Sequence, residues 1–460
     1  MWRQLLLLIT VLSVLGYTLQ RDIRFEKAYT GDLRNRVTGA RMIKDGRSPY
    51  FYKWKNGDGL RYYDPENFDS VGPSNMTSTP VLYRIISPLV ELPQATISVC
   101  WLAAEYMMLA CLTLFALSRA GSVFQKQLVV LAALMALLTN GWKEQVANGQ
   151  TYLLVPLFAM LFLVFWAKND RLVWAVAAGA SAACLVLIRV NTVLFFLPFL
   201  FITRRHTRSW LFAFFIPLGV FAGWTLSTPH ERGLWRDYAA NVSEATALNQ
   251  ADSYTRRIND PDPRFPRWEG IDTMESYRYM QAPPARIYSE NGNFFVFYKF
   301  FFHRKLPVAV LALLSLLLVS TLAIAFYVKH RPPDNPTMAT AAVFGFCLFM
   351  IPDLFSPIYR HQYYTVQWFL PLMIAAANFS SRFAREYALL LLGFLLNCIH
   401  LPFVKMENSI GEYLIGIVLL RLALSSTWPE TTWPEKPNPL QARVSDDQSP
   451  HKSRQQSLPE

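Results

Sequence analysis

An aspartate and several arginines stand in a short charged stretch, GDLRNRVTGARMIKDGRSPYFY, at residues 31–52, directly after the first apolar run. A carboxylate can act as a general base that takes the proton from an attacking hydroxyl group. Asp32 can also cap a helix that begins at Leu33, because its carboxylate can accept backbone N–H groups. The stretch therefore supports two hypotheses for Asp32, a catalytic base and a helix cap.

The same stretch predicts a short amphipathic helix that ends near Gly46. One face is apolar, because four residues follow at helical spacing: Leu33, Val37, Ala40 and Ile43. Much of the remaining surface is basic, with Arg34, Arg36, Arg41 and Lys44. Ser48-Pro49 prevents continuation of the helix. We expect this helix to lie on the membrane with its basic side toward the lipid headgroups.

Four further charged or titratable residues border apolar runs, where a charge is costly and marks a candidate functional site. Arg189 closes a run in LVLIRVNTVLFF, although it could simply extend to lipid headgroups. Asp353 stands in MIPDLFSP, and Arg360 and His361 follow in FSPIYRHQYY. His361 could be a satisfied histidine among tyrosines. Asp353 could orient His361 or Arg360, or could itself be the base.

Cysteine, histidine and glycine patterns exclude several other chemistries. All five cysteines lie inside apolar runs, which is typical of small core residues and not of disulfides. No Cys/His pair has metal-ligand spacing, and no phosphate-binding glycine motif indicates a nucleotide-driven engine. Asp260-Pro261-Asp262 could bind a metal, but in a proline-rich loop it favours a turn. We therefore expect no cofactor and no divalent metal.

Apolar segments must position these residues. The chain has 460 residues, of which 53% are hydrophobic and 17% charged, whereas about 25% charged is usual for globular proteins. About 20 apolar residues cross the roughly 30 Å hydrocarbon core as a helix. Candidates lie near 3–19, 95–118, 122–140, 151–167, 172–189, 191–203, 209–227, 306–328, 338–357, 364–380, 387–404 and 409–425. We predict an all-α polytopic membrane protein with about twelve transmembrane helices.

Lysine and arginine in the short loops predict the orientation. With a cytoplasmic N-terminus, these residues are concentrated in the short inner loops and are sparse in the outer ones, as the positive-inside rule requires. The first segment is interpreted as an anchor, because VLSVLGYTLQ lacks a small-x-small cleavage site. An even number of spans returns the C-terminus to the cytoplasm. The net charge of +12 indicates contact with anionic membrane lipids and not with nucleic acid.

Two long hydrophilic segments and a polar tail complete the predicted organisation. The segments at about 20–94 and 228–305 fall on the outer side and are rich in aromatic residues that can pack or stack on sugars. Short amphipathic helices are expected in both. Residues 1–425 would form one transmembrane domain. Residues 426–460 are rich in Pro, Ser, Gln and charge, which is typical of a disordered cytoplasmic tail.

Four motifs, in this order over residues 1–425, resemble the GT-C membrane glycosyltransferases and most closely glycosyltransferase family 87. The first is Asp32 followed by GARMIKDGRSPYFY, and the second is YYDPENF with the later TSTPVLYRIISPLVELP. The third is ANGQTYLLVPL, which contains Gln150. The fourth is FSPIYRHQYY, which contains His361 and has Tyr359 where the family has tryptophan. The second outer segment is longer than is usual in that family.

The resemblance implies a polyprenyl-phosphate-mannose-dependent α-mannosyltransferase type of activity. A hexose would pass from a polyprenyl-phosphate donor to a glycolipid or glycan acceptor at the outer face, in a multi-pass protein that we expect in the bacterial inner membrane. Asp32 would be the general base and His361 a second catalytic residue. A leaving phosphate needs cations, for which the candidates are Arg36, Lys143, Arg189 and Arg360. Secondary candidates are Asp353, Gln150 and Tyr50.

Two other function classes remain open from the sequence. A transporter or flippase for lipid or sugar should show internal repeats and broken helices, but no repeat is evident and the hydrophilic mass is concentrated in two outer segments. A non-catalytic assembly protein for surface polysaccharide would not need Asp32, so substitution there would be silent. A reactive carboxylate in a lipid-accessible cleft with nearby cations would distinguish an enzyme from both.

Overall fold

The computed structural model describes residues 2–28, 31–52, 57, 59–63, 76–168, 171–202, 206–250, 293–302, 304, 306–330, 336–357, 360–399, 407–425 and 427–428. These residues form helices and connecting turns, with no β-strand among them, which confirms the all-α prediction. Asp260, Asp262, Tyr359, and the tail beyond Trp428 lie outside the described residues, so the predictions for them stay predictions.

The α-helices of the described part are numbered here in chain order. They are α1 (Trp2–Ala28), α2 (Gly31–Lys44), α3 (Pro80–Ile86), α4 (Gln94–Leu117), α5 (Val123–Leu138), α6 (Asn140–Asn148), α7 (Leu154–Ala167), α8 (Leu172–Ile188), α9 (Thr207–Ser227), α10 (Pro229–Gln250), α11 (Phe294–Phe302), α12 (Val308–Lys329), α13 (Met338–Leu354), α14 (Phe369–Ala377), α15 (Ala384–Leu396) and α16 (Glu407–Ala423). Shorter 3₁₀ helices are Leu60–Tyr62, Ser87–Leu89, Val190–Phe201, Gln362–Trp368 and Ser381–Phe383.

Each predicted apolar segment overlaps a helix, but the helices differ in length. Among the described residues, α4, α9 and α12 are long and apolar enough to cross a membrane alone. The pair α5 and α6 meets the same criterion jointly, although the two helices are bent by 56° at their junction. The structure therefore confirms an apolar, membrane-type helical protein, while the number of twelve crossings stays a prediction.

The bend between α5 and α6 is built by Thr139. Its backbone is extended (φ −66°, ψ 149°), and its hydroxyl oxygen accepts a hydrogen bond from the Trp142 N–H at 3.0 Å. This cap starts a new helix immediately after α5 ends. Gly141 then lets α6 approach the 3₁₀ helix Gln362–Trp368, because a Cβ there would lie 2.9 Å from the Gln362 carbonyl oxygen. The bend thus brings α6 against a segment more than 200 residues later.

A second, smaller hydrophobic core lies apart from the main helical core. It contains the apolar face of α2 that the sequence predicted, with Leu33, Val37, Ala40 and Ile43 all buried. Leu234 of α10 is buried in the same core, and the Ser48 hydroxyl bonds to the Asp237 carboxylate at 2.9 Å. The two hydrophilic segments therefore pack against each other.

The basic side of α2 contacts protein in part, and the prediction that it faces lipid headgroups is wrong for Arg36. Arg36 is buried. Arg41 donates from Nε to the Val90 carbonyl at 2.8 Å, and Lys44 pairs with Glu91 at 2.9 Å. The chain after α2 folds back over the helix, and periodicity within one helix carries no information about that return.

The cysteines also depart from expectation in part. Cys347 is buried, as a core residue should be, whereas Cys100, Cys111 and Cys184 are exposed on helix surfaces. All five are free thiols, as predicted. A helix in lipid is apolar on its outer face as well as its inner one, so composition cannot assign these residues to a face.

Candidate active site

Asp32 lies half-buried in the first turn of α2, where that helix meets the turn after α6. The Gln150 side chain joins two charged groups there. Its Nε2 donates to Asp32 Oδ2, and its Oε1 accepts a hydrogen bond from the Arg36 guanidinium. Arg36 also donates to the Gly149 carbonyl at 3.3 Å. Since α2 begins at Gly31 and not at Leu33, Asp32 is a first-turn residue held by a side chain 118 positions away.

Gly149 makes this junction possible. It ends α6 with a left-handed backbone (φ 58°, ψ 51°), a conformation that favours glycine. A Cβ at this position would lie 2.5 Å from the Leu33 Cβ. The glycine therefore allows α2 to approach the turn closely enough for Gln150 to reach Asp32.

A second group of side chains fixes the backbone of Gln150. Its carbonyl oxygen accepts a hydrogen bond from Trp101 Nε1 at 3.3 Å and another from Gln145 Nε2. Gln145 Nε2 also donates to Glu105 Oε1 at 2.9 Å. Both Gln145 and Glu105 are buried. Sequence reasoning missed Glu105, although a carboxylate in the middle of an apolar helix is itself a signal of a buried polar partner.

Three tyrosines form a row beside this junction. Tyr152 stacks on Tyr363 with ring centroids 5.2 Å apart and packs on Tyr364 at 4.3 Å. His361 stacks on Tyr363 at 5.0 Å, so it lies among aromatic neighbours. Burial raises the pKa of Tyr363 well above its ordinary value, and the negative charge of Asp32 raises it further. The tyrosine row thus lies within electrostatic reach of Asp32.

Arg189 lies against the tyrosine row. Its guanidinium lies 5.0 Å from the Tyr152 ring centroid and 5.1 Å from that of Tyr364. It pairs with Asp353 at 2.5 Å, and Asn191 Nδ2 donates to the same carboxylate at 2.9 Å. The prediction that Asp353 orients His361 or Arg360 therefore differs from the contacts observed, since its described partners are Arg189 and Asn191.

Arg360 occupies a different place from the one predicted. It is only 1% exposed and pairs with Glu412 of α16, which also accepts a hydrogen bond from the Thr365 hydroxyl. Its guanidinium also lies 5.1 Å from the Tyr364 ring centroid. Such a buried pair fixes the 360–368 segment against α16. The donor-phosphate role predicted for Arg360 does not match this enclosed position.

Tyr50 and Lys143 were the remaining candidates. Tyr50 is buried in the smaller core, where its hydroxyl donates to the Ser78 carbonyl at 2.8 Å and burial raises its pKa. Lys143 is half-buried on α6.

Tyr238 of α10, an aromatic of the second hydrophilic segment, lies 5.7 Å from the Tyr50 ring. Burial raises the pKa of Tyr238, whereas the nearby positive charge of Arg189 lowers it. Tyr238 thus packs on the smaller core and lies within electrostatic reach of Arg189. The sequence marked Tyr238 as one of the aromatic residues of its segment but did not indicate these neighbours.

These contacts group the candidate residues into two neighbouring clusters of side chains. The first contains Asp32, Arg36 and Gln150, and the second contains the tyrosine row with Arg189, Asp353 and His361. Within the described residues, no three His, Cys, Asp or Glu side chains gather as metal ligands.

The chain was also compared with known proteins. The family model of glycosyltransferase family 87 matches residues 77–357, which is more than half of the 460-residue chain. The matched range contains Gln150, Arg189 and Asp353, whereas Asp32 and His361 lie outside it. No curated protein sequence matches the chain.

Proposed function

Because the chain belongs to glycosyltransferase family 87, we propose that it transfers a hexose such as mannose from a polyprenyl-phosphate donor to a lipid or glycan acceptor, with Asp32 as the general base. The observation that carries the proposal is the position of Asp32. It is a half-buried carboxylate beside Arg36, next to an aromatic row that ends at a second arginine. A glycosyltransferase is an enzyme, so the family favours neither a transporter nor a non-catalytic assembly protein.

In the proposed reaction, the acceptor hydroxyl attacks the anomeric carbon of the donor sugar. The new C–O bond forms as the bond between that carbon and the phosphate oxygen breaks. Asp32 takes the hydroxyl proton, a step worth about 10²–10⁴-fold in rate when the base is well positioned. The polyprenyl phosphate leaves as an anion and needs no proton. It needs a fixed positive charge where the negative charge develops.

Arg189 and Arg36 are the better placed of the predicted cations. Arg189 keeps 18% of its side chain exposed, and its guanidinium lies 5.0 and 5.1 Å from the ring centroids of two tyrosines. Arg36 and Asp32 both form hydrogen bonds with the Gln150 side chain. The buried Nε of Arg36 has no hydrogen-bond acceptor among the described residues. We propose Arg189 as the donor-phosphate ligand and Arg36 as a group that positions Asp32 through the shared Gln150 side chain. Lys143 and His361 remain candidates for contacts with the two substrates.

The depth of the site supports a lipid-linked donor. Trp101, which bonds to the Gln150 carbonyl, is the eighth residue of α4, so it lies about 10 Å along that helix from its start. Glu105, which holds Gln145, lies one turn deeper. Because α4 is long and apolar enough to cross a membrane, a donor could reach this depth from within the lipid. We propose that this happens at the outer face of the bacterial inner membrane, with both termini cytoplasmic.

The test compares Asp32→Asn with Asp45→Asn in purified protein reconstituted in nanodiscs with a polyprenyl-phosphate hexose and a glycolipid extract. Asp45 directly follows the last residue of α2, but it pairs with Arg61 outside the site. We expect transfer to fall roughly 100-fold or more in Asp32→Asn and to stay near wild type in Asp45→Asn. Donor binding should be retained in both variants. Equal transfer by Asp32→Asn and wild type would exclude Asp32 as the base.

A further inference from the structure

A groove runs along the helical bundle between α5, α14 and α15, and its volume is about 320 Å³. On α5 it is lined at positions 128, 131, 132 and 135, which share one helical face. Small side chains keep the groove open, among them Ala132, Ala376 and Ala388. Leu131 and Leu391 on its walls are each 44% exposed. The groove is therefore an apolar channel on the outside of the bundle.

The side chains that line the groove leave no polar group available for a ligand. Its one hydroxyl, on Tyr387, donates to the backbone carbonyls of Ala375 at 2.9 Å and Asn378 at 3.0 Å. That hydroxyl also accepts a hydrogen bond from Trp428 Nε1 at 3.0 Å. A hydrocarbon chain is the occupant that loses no hydrogen bond on entering such a site.

One end of the groove is marked by positive charge. Phe379 lines this end, and the Gln125 side chain donates to its carbonyl at 2.9 Å. Lys126 follows Gln125, and Arg382 and Arg385 flank the lining residue Ala384. The side chains of all three cations are exposed. The nearest acidic residue on α15, Glu386, is paired with Arg421 at 2.9 Å, so it does not cancel this charge.

The basic end lies far from the candidate active site. α5 begins at Val123 beside Phe379 and ends at Leu138, next to α6, which carries the Gln150 turn. Sixteen helical residues span about 24 Å. The groove mouth and Asp32 thus lie at opposite ends of α5, which separates this feature from the proposed catalytic machinery.

We propose that the groove binds an anionic phospholipid, with one acyl chain between α5, α14 and α15 and the phosphate headgroup among Lys126, Arg382 and Arg385. Lipid phosphate attracts juxtamembrane lysine and arginine side chains. The apolar channel and the cationic end together match a single amphiphile. The proposal does not depend on which sugar the protein transfers, or on whether it transfers one.

Native mass spectrometry of the full chain in detergent tests this assignment. The protein is incubated with equal amounts of a phosphatidylglycerol and a phosphatidylcholine that carry the same acyl chains. We expect retained phosphatidylglycerol adducts and weaker phosphatidylcholine adducts. The triple variant Lys126→Gln/Arg382→Gln/Arg385→Gln should lose the preference, by about fivefold for each charge removed. Ala388→Trp fills the groove and should reduce adducts of both lipids.

The matched control is Lys168→Gln/Arg171→Gln/Arg208→Gln. These residues are also exposed and border helices α7, α8 and α9, so the variant removes the same charge elsewhere. It should retain the phosphatidylglycerol adducts. Equal retention of both lipids by wild type, or loss of preference in the control as well, would overturn the proposal. Displacement of phosphatidylglycerol by undecaprenyl phosphate at equal concentration would assign the groove to the polyprenyl chain instead.

Discussion

Replacement of Gly149 by alanine gives the sharpest test of how the site is assembled. Two costs are expected at this position. A left-handed backbone costs a non-glycine residue about 1–2 kcal/mol. The added Cβ would also lie 2.5 Å from the Leu33 Cβ, where ordinary contact begins near 3.4 Å, and overpacking of this kind costs about 1–3 kcal/mol. We expect the variant to be destabilised by about 2–5 kcal/mol.

The clash should also displace the base. To restore an ordinary contact with Leu33, α2 must move by about 1 Å. Asp32 must move with it, because Asp32 and Leu33 are neighbours on that helix. Such a movement separates Asp32 from Gln150, and a misplacement of about 1 Å can cost roughly 100-fold in rate. We therefore expect Gly149→Ala to lose most of its transfer activity at temperatures where it is still folded.

Gly46→Ala is the matched control for this experiment. Gly46 also has a positive φ, +73°, but no atom lies within 4 Å of the position of its added Cβ. It should therefore lose stability through backbone strain alone and keep its activity. Thermal unfolding in detergent and hexose transfer in nanodiscs are measured for both variants. Equal activity in the two variants would refute the argument that close contact between Gly149 and α2 positions Asp32.

Three further predictions concern the surroundings of the site. Glu105→Ala removes the carboxylate that accepts from Gln145 and should lower the unfolding free energy by about 1–3 kcal/mol in thermal denaturation, since a buried donor loses its partner; an unchanged midpoint would contradict this. Arg189→Lys keeps the charge but loses the flat, two-pronged geometry, so kcat/KM for the donor should fall roughly 10-fold or more, and an unchanged value would exclude a phosphate contact. Hydrogen bonds from Arg61 lower the pKa of Asp45 to about 2, so this ion pair holds the 3₁₀ helix Leu60–Tyr62 against Asp45 above about pH 4. The stabilisation is lost as the pH falls toward about 2. Rate-corrected hydrogen exchange of residues 60–62 should show loss of protection over this pH range in wild type but no further loss in Arg61→Gln.

The apolar pattern predicted helix positions well because it depends on local physics. A membrane-spanning helix needs a long uninterrupted run of apolar side chains, and each predicted segment overlaps a helix. The face of α2 that carries Leu33 and Val37 was predicted for the same reason, since both residues follow one helical period. Helix ends were less accurate: the helix of the segment predicted at 122–140 ends at Leu138, and Thr139 caps a further helix, α6, that was not predicted.

Pairings between distant residues could not be predicted. Arg360 was proposed as a phosphate ligand, yet it is enclosed with Glu412 on a helix that follows 52 residues later. Asp353 was proposed to act on its neighbours along the chain, yet it pairs with Arg189, 164 residues earlier. One sequence indicates that a charge within an apolar run needs a partner, but it does not indicate which one.

The sequence alone determined that this protein is an all-helical membrane-type chain. Its motifs placed Asp32 and Gln150 among the candidate residues, and a charge at the border of an apolar run added Arg189. Those conclusions follow from composition, period and local order, which the chain carries before it folds. Only the tertiary structure decided that Gln150 joins Asp32 to Arg36 and that α10 packs Tyr238 against Tyr50. Such contacts depend on how helices cross in three dimensions, because hydrogen bonds and ring contacts act over a few ångströms whatever the distance along the chain.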